Sequence, residues 1–162
     1  VSNFSVKKLK KLLAQSRINP EVNQVELHPL LQQPEMKKYC DSVGINLTAY
    51  APLGSGDRPA FFQEEGSPNP LEQPVIHEIA AAHDATPAQV LLAWGIQRGT
   101  AVIPKTVKAQ RMEENLAASG LELSDQEMMQ IQSLDQHCRL LNGKVWGGPY
   151  TYEYLWDEKE LG

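Results

Sequence analysis

Two groups of polar residues in this 162-residue chain have types and spacing that could do chemistry. The first is Lys105-Thr106, with Arg111, Glu114 and Asn115 following six, nine and ten residues after the lysine. Arg111, Glu114 and Asn115 stand at i, i+3 and i+4, so on a helix they share one face. Two cations beside a helix start suit a phosphate monoester, because the first backbone N–H groups and the helix dipole both favour an anion there. The same spacing suits an exposed salt bridge between Arg111 and Glu113 or Glu114, and the residues alone leave both readings open. The second group is Ser2-Asn3, Asn23-Gln24 and Tyr50, each at or near the end of an extended segment. One polar residue at a strand end is commonly a cap or turn residue. Several together mark the ligand face of a parallel sheet.

The elements that must position these groups follow from caps and breakers. Ser5 caps a helix whose Val6, Leu9, Leu12 and Leu13 fall on one face, while Lys7, Lys8, Lys10 and Lys11 read as a solvated face. Asn19-Pro20 breaks the chain, and 22–27 reads as a strand closed by His28-Pro29. Pro34 opens a helix that runs to Val43, Gly44 is its left-handed stop, and 45–50 is a second strand. The stretch 55–70 has Gly, Pro, Ser and charge without period, which makes it a long loop. Two helices follow, over 74–83 and from Thr86-Pro87 to Gly99, the second with Gln89 in capping-box position. A short apolar run, 101–103, is a third strand. Helices over 108–119 and from a Ser124/Glu127 capping box through Leu134 complete the pattern. The tail from Arg139 is rich in aromatics and glycine and has no helical period.

Helix and strand alternate with crossovers suited to a parallel sheet, which places the chain in the α/β class. Three full strands are too few for a free-standing doubly wound sheet, and a (β/α)8 barrel needs about eight in roughly 250 residues. Half of a TIM-type barrel fits the count, as a single partial domain over 1–162. The chain has no initiator methionine and enters a helical pattern directly after Val1-Ser2-Asn3-Phe4, which reads as a segment of something longer.

Composition narrows the function. With 41% hydrophobic and 22% charged residues the chain is ordinary globular material. A net charge of -5 argues against a nucleic-acid or anionic-membrane partner, since both need a basic surface. No apolar run approaches the roughly 20 residues of a membrane span, and the first residues lack a signal-peptide core, so a cytoplasmic location is expected. Cys40 and Cys138 lie far apart and the four histidines do not cluster, which favours thiols over a disulfide and offers no metal set.

The segments VSNF, VNQVELHPLLQQPEMKKYC, GINLTAYAPLG, TPAQVLLAWGIQRG, VIPKT and RMEEN stand in the order and spacing of the aldo-keto reductases. Over nearly its whole length the chain resembles that family. The resemblance implies NADPH-dependent reduction of an aldehyde or ketone, with hydride passed directly to the carbonyl carbon. It implies that Ser2, Asn3 and Gln24 hold the nicotinamide carboxamide, that Tyr50 stacks on the ring, and that Leu53 and Ser55 belong to the loop over the pyrophosphate. Lys105, Thr106 and Arg111 would take the adenosine 2′-phosphate, and Glu114 with Asn115 the adenine. Many members have Ser where this chain has Ala51, which removes one hydroxyl from that loop.

Aligned in this way the chain runs from the end of barrel strand five through strand eight. The family's catalytic Asp, Tyr, Lys and His belong to the first half and have no counterpart in this sequence, so the isolated chain is expected to be inactive. His28 is expected to be structural. Trp146, Tyr150, Tyr152 and Trp156 lie in a tail similar to the family's substrate-closing segment, as an aromatic wall or as an edge packed on the barrel. An open half-barrel would also expose strand edges that favour self-association or pairing with another chain.

Overall fold

The computed structural model describes residues 1–59, 66–143 and 151–157. The Ser5 hydroxyl accepts from the Lys8 backbone N–H and opens α1, Val6–Leu13, which buries Leu9 completely. Strand β1, Val22–Glu26, leads into α2, Pro34–Val43, with Pro34 in the first turn and Gly44 left-handed (φ 72°) at its end. Strand β2, Asn46–Tyr50, is followed by a single 3-10 turn, Pro70–Glu72, and by α3, Pro74–Ala82. Helix α4, Pro87–Gln97, starts on a complete capping box between Thr86 and Gln89. Strand β3, Ala101–Val102, leads to α5, Ala109–Ala117, and α6, Asp125–Gln132, has the Ser124/Glu127 capping box. A last short helix, α7, spans Tyr152–Trp156.

The three strands form one parallel sheet in the order β1-β2-β3, with Gln24 opposite Thr48, Glu26 opposite Tyr50 and Ala49 opposite Val102. Parallel neighbours need long crossovers, and helices supply them: α2 between β1 and β2, α3 and α4 between β2 and β3. The first residues run beside β1 as a strand stub. Gln24 donates to the Val1 carbonyl at 3.0 Å, and its own carbonyl accepts from the Asn3 N–H at 2.9 Å.

Period-two alternation gives the sheet two different faces. Val25, Leu27, Leu47 and Ala49 point into a core shared with Leu9, Met36, Ile76, Ile79, Val90, Leu91 and Trp94. Each fully buried Leu or Ile there contributes about 1.5–3 kcal/mol relative to exposure. The residues between them, Gln24, Glu26, Thr48 and Tyr50, lie on the other face. The helices therefore supply the packing, and the opposite face is left for polar side chains at the strand ends.

Beyond shifts of a residue at strand ends, the structure departs from the sequence reading at the tail and on α1. The tail is not wholly irregular, because Thr151 caps α7 by accepting from the Tyr154 N–H. The lysines of α1 are not all solvated either. Lys8 donates to the carbonyls of Tyr154 and Leu155, and Lys7 pairs with Asp157 at 3.2 Å, so this face of α1 receives the C-terminal helix. Two carbonyls left over at the end of a short helix are good partners for an ammonium. Neither cysteine is in a disulfide, and Cys40 is buried against Met36.

Candidate functional site

At the C-terminal ends of the stub, β1 and β2, four of the expected residues come together. Tyr50 donates its phenol to Asn3 Oδ1 at 3.0 Å, and the Ser2 hydroxyl donates to the Gln24 carbonyl at 3.0 Å. Burial pushes the Tyr50 phenol well above its usual range, and the Glu26 carboxylate adds to the effect. Tyr50 is therefore a neutral hydrogen-bond donor at every physiological pH. Asn3 is held at positive φ (57°), which turns its side chain toward Tyr50. Asn23, grouped with Gln24 from sequence, does different work. It is fully buried, its amide donates to the Phe4 carbonyl at 2.9 Å and its oxygen accepts from the Phe4 N–H at 3.3 Å. That pair of bonds fixes the turn in which Ser2 and Asn3 sit.

The second group lines a cavity of about 350 Å³ between the loop after β2 and the residues after β3. Leu53 and Ser55 stand on one side, Lys105, Thr106 and Arg111 on the other. The loop is tightly turned: Gly54 has φ 81°, donates to the Ala51 carbonyl at 2.8 Å, and a Cβ there would meet Pro70 Cδ at 2.5 Å. Only glycine fits that place. Across the cavity Lys105 Nζ meets Asp57 Oδ2 at 2.7 Å, and the lysine holds the Asp57 carboxyl below its usual range.

Thr106 Oγ1 accepts from the Lys108 N–H at 3.2 Å, ahead of an α5 start that has no side-chain cap of its own. Arg111 forms no ion pair with Glu113 or Glu114, and Glu114 instead accepts from Gln110 at 2.9 Å. The salt-bridge reading of this spacing is thereby removed. Asn115 is half-buried on the same helix.

Two residues of the site region went unnoticed in the sequence. Asp57 carries no local signal, since its partner is 48 residues away. Glu26 does carry one: a carboxylate inside an otherwise buried strand end must have fixed partners. It is fully buried with His28 Nε2 at 3.0 Å and two backbone N–H donors from the tail. His28 is fully buried as well, with no partner for Nδ1 among the described residues.

In the tail, Trp156 is buried, donates to the Asn142 carbonyl at 2.9 Å and lies under the Arg139 guanidinium, 3.9 Å from the ring centre. It is an edge packed on the fold, next to a half-buried Tyr152. Trp146 and Tyr150 lie outside the described residues. A further cavity of about 600 Å³, with Asn3, Phe4, Val25, Met36 and Trp156 among its walls, lies behind the tail and shares no lining residue with the cation-lined groove. Among the described residues no group of three or more His, Cys, Asp or Glu could hold a metal, and no helix is long and apolar enough to cross a membrane.

A parallel sheet with a polar cluster at its strand ends and a cation-lined groove defines an α/β protein whose polar groups gather at the C-terminal ends of its strands. The chain belongs to the aldo/keto reductase family, whose model matches residues 1–136. It is 55% identical over 161 residues to an aldo/keto reductase of Synechocystis sp., covering 98% of this chain and 49% of that protein. It is 41% identical over 150 residues to the NADP-dependent D-sorbitol-6-phosphate dehydrogenase of Malus domestica (91% of this chain, 47% of the other). A probable NAD(P)H-dependent D-xylose reductase of Emericella nidulans is 41% identical over 157 residues (93% and 48%). The chain thus spans about half the length of these relatives. The family is one of oxidoreductases, and membership in it implies a TIM-type barrel fold.

Proposed function

We propose that the chain is the C-terminal, cofactor-holding half of an aldo-keto reductase barrel, strands five to eight, whose whole protein reduces an aldehyde or ketone with NADPH. The observation that carries this reading is the groove itself: Lys105 and Arg111 face the loop 51–57, and Arg111 has no carboxylate partner among the described residues. An arginine without a carboxylate partner, beside a lysine whose one pair is exposed and a helix start without a side-chain cap, fits a dianionic phosphate, as on the ribose of NADPH. Lys105, Thr106 and Arg111 would hold that phosphate, with Glu114 and Asn115 beside the adenine and Leu53 and Ser55 along the pyrophosphate. Ser2, Asn3 and Gln24 would orient the carboxamide. Gln24's side-chain amide is bonded to none of the described residues, so it is free to do so.

Tyr50, kept neutral by burial, offers a flat aromatic face beside that cluster. When bound, the nicotinamide supplies the reducing equivalent. The proton for the carbonyl oxygen would come from an acid outside these 162 residues, and loss of such a group costs about 10² to 10⁴ in rate. We therefore expect the chain alone to bind cofactor without turnover, in the cytoplasm, as one partial domain.

Fluorescence titration of the chain with NADPH and with NADH tests this. NADPH is expected to bind about tenfold or more tighter than NADH, from one charge-assisted contact to the extra phosphate. Equal affinity, or brisk reduction of an aromatic aldehyde by the chain alone, would contradict it. A second reading, a half-barrel that pairs with another chain, is favoured by the exposed Val107, Met112 and Leu116 on and before α5. Sedimentation decides it: a monomer at all concentrations excludes self-pairing.

A further inference from the structure

The segment after α6 returns across the ends of β1 and β2, and its contact there centres on one buried carboxylate. Glu26, the last residue of β1, is fully buried two residues beyond Gln24. Its Oε1 accepts from the Leu140 N–H at 2.7 Å and its Oε2 from the Leu141 N–H at 3.1 Å, donors 114 and 115 residues away in the chain. His28 Nε2 lies 3.0 Å from Oε1, and the Gln33 amide donates to the Glu26 carbonyl at 2.6 Å. A buried carboxylate persists only when its lone pairs are occupied, and here the tail occupies half of them.

Leu140 carries the contact onward. Its side chain is buried, and its Cδ1 lies 3.5 Å from the place a Cβ would take on Gly54. Gly54 is the turn of the loop that forms one wall of the groove, and its carbonyl also accepts from Arg58 at 3.1 Å. A tail held at Leu140 therefore backs the loop against outward movement. Released, it would take that support away.

We propose that Glu26 is a positioning residue: it latches the C-terminal segment to the sheet and, through Leu140, keeps the Gly54 loop closed so that a bound dinucleotide is retained. The retention half rests on the NADPH reading of the groove; the latch does not. Thr106 and Arg111 stand on the opposite wall and Lys105 touches the loop through one exposed pair to Asp57, which contributes little, so the latch governs how long the cofactor stays more than how its 2′-phosphate is read.

Glu26→Gln tests both halves, because it keeps the shape and turns one acceptor into a donor facing an N–H. In hydrogen exchange on the full chain, the Leu140 and Leu141 amides are expected to exchange about tenfold faster, from loss of charge-assisted bonds. The Cys138 amide, bonded to the Leu30 carbonyl, should not change. NADPH dissociation in stopped flow should speed about five- to tenfold as the loop opens more often, with affinity for adenosine 2′,5′-bisphosphate unaltered. Leu140→Ala should speed NADPH release as well while leaving the Leu141 amide protected.

Unchanged exchange at Leu140 and Leu141 would overturn the latch. Faster exchange with unaltered release would overturn the coupling to the loop. If the unaltered chain binds no NADPH, the retention half falls and exchange still decides the latch. Should Glu26→Gln fail to fold, Glu26→Asp, which keeps the charge but withdraws it, carries the same exchange test.

Discussion

The two ends of the candidate site are built on opposite plans. Around Asn3 and Tyr50 the turn is tied to buried groups: Asn23 grips the Phe4 backbone twice, and Tyr50 reaches Asn3 from a half-buried position. Around Lys105 the groups are exposed, and a single ion pair to Asp57 spans the groove. A rigid cluster suits a flat ring whose orientation matters. Exposed cations suit a charged group that arrives from water, because long side chains can adjust and little burial has to be offset. The difference teaches that stability and affinity should separate along this face.

The largest effect is expected at the rigid end. Asn23→Ala strips both bonds from Phe4 and leaves its backbone groups unpaired, which should cost about 2–3 kcal/mol in urea unfolding. A loss below about 0.5 kcal/mol, the range of an ordinary surface change, would mean that the turn holds itself. At the other end Arg111→Ala should leave the unfolding midpoint unmoved and weaken NADPH about tenfold, with NADH unaffected. If NADH weakened equally, Arg111 would be contacting something other than the 2′-phosphate.

The smallest effect belongs to Asp57. Asp57→Asn should change NADPH affinity by less than about threefold, since exposed ion pairs contribute little. Its pH dependence has a definite sign. A carboxyl held below its ordinary value contributes above that value and loses its contribution as the pH falls through the lowered one. The loop contact should thus persist from neutral pH down to about 4 and fade only below it, with the fade absent in Asp57→Asn.

How much of this was legible in the sequence follows from how local each signal is. Ser5, Thr86 with Gln89, and Ser124 with Glu127 cap the helices that their spacing predicts, because a cap is satisfied within three or four residues. Strand ends shifted by a residue, at Leu27, Ile45 and Ile103, since pairing and not propensity decides where a strand stops. Helix α7 was not legible: five residues are too few for a period to show, and the helix is held by Lys8 from the far end of the chain.

Among the site residues, the sequence reading grouped Asn23 with Gln24, but alternation sends their side chains to opposite faces of β1. The open choice at Arg111, phosphate ligand or partner of Glu114, needed coordinates, because i, i+3 spacing permits a salt bridge without requiring one. Asp57 and the tail contacts of Glu26 are long-range pairings that no window of sequence contains.

Amide chemical shifts of the chain, followed during separate titrations with adenosine 2′,5′-bisphosphate and with NADPH, test most directly whether one ligand runs along both ends. The bisphosphate should move Lys105, Thr106 and Arg111 alone, and NADPH should move these together with Ser2, Asn3, Gln24 and Tyr50. Shifts confined to Phe4, Met36 and Trp156, around the cavity behind the tail, would contradict the groove as the cofactor site.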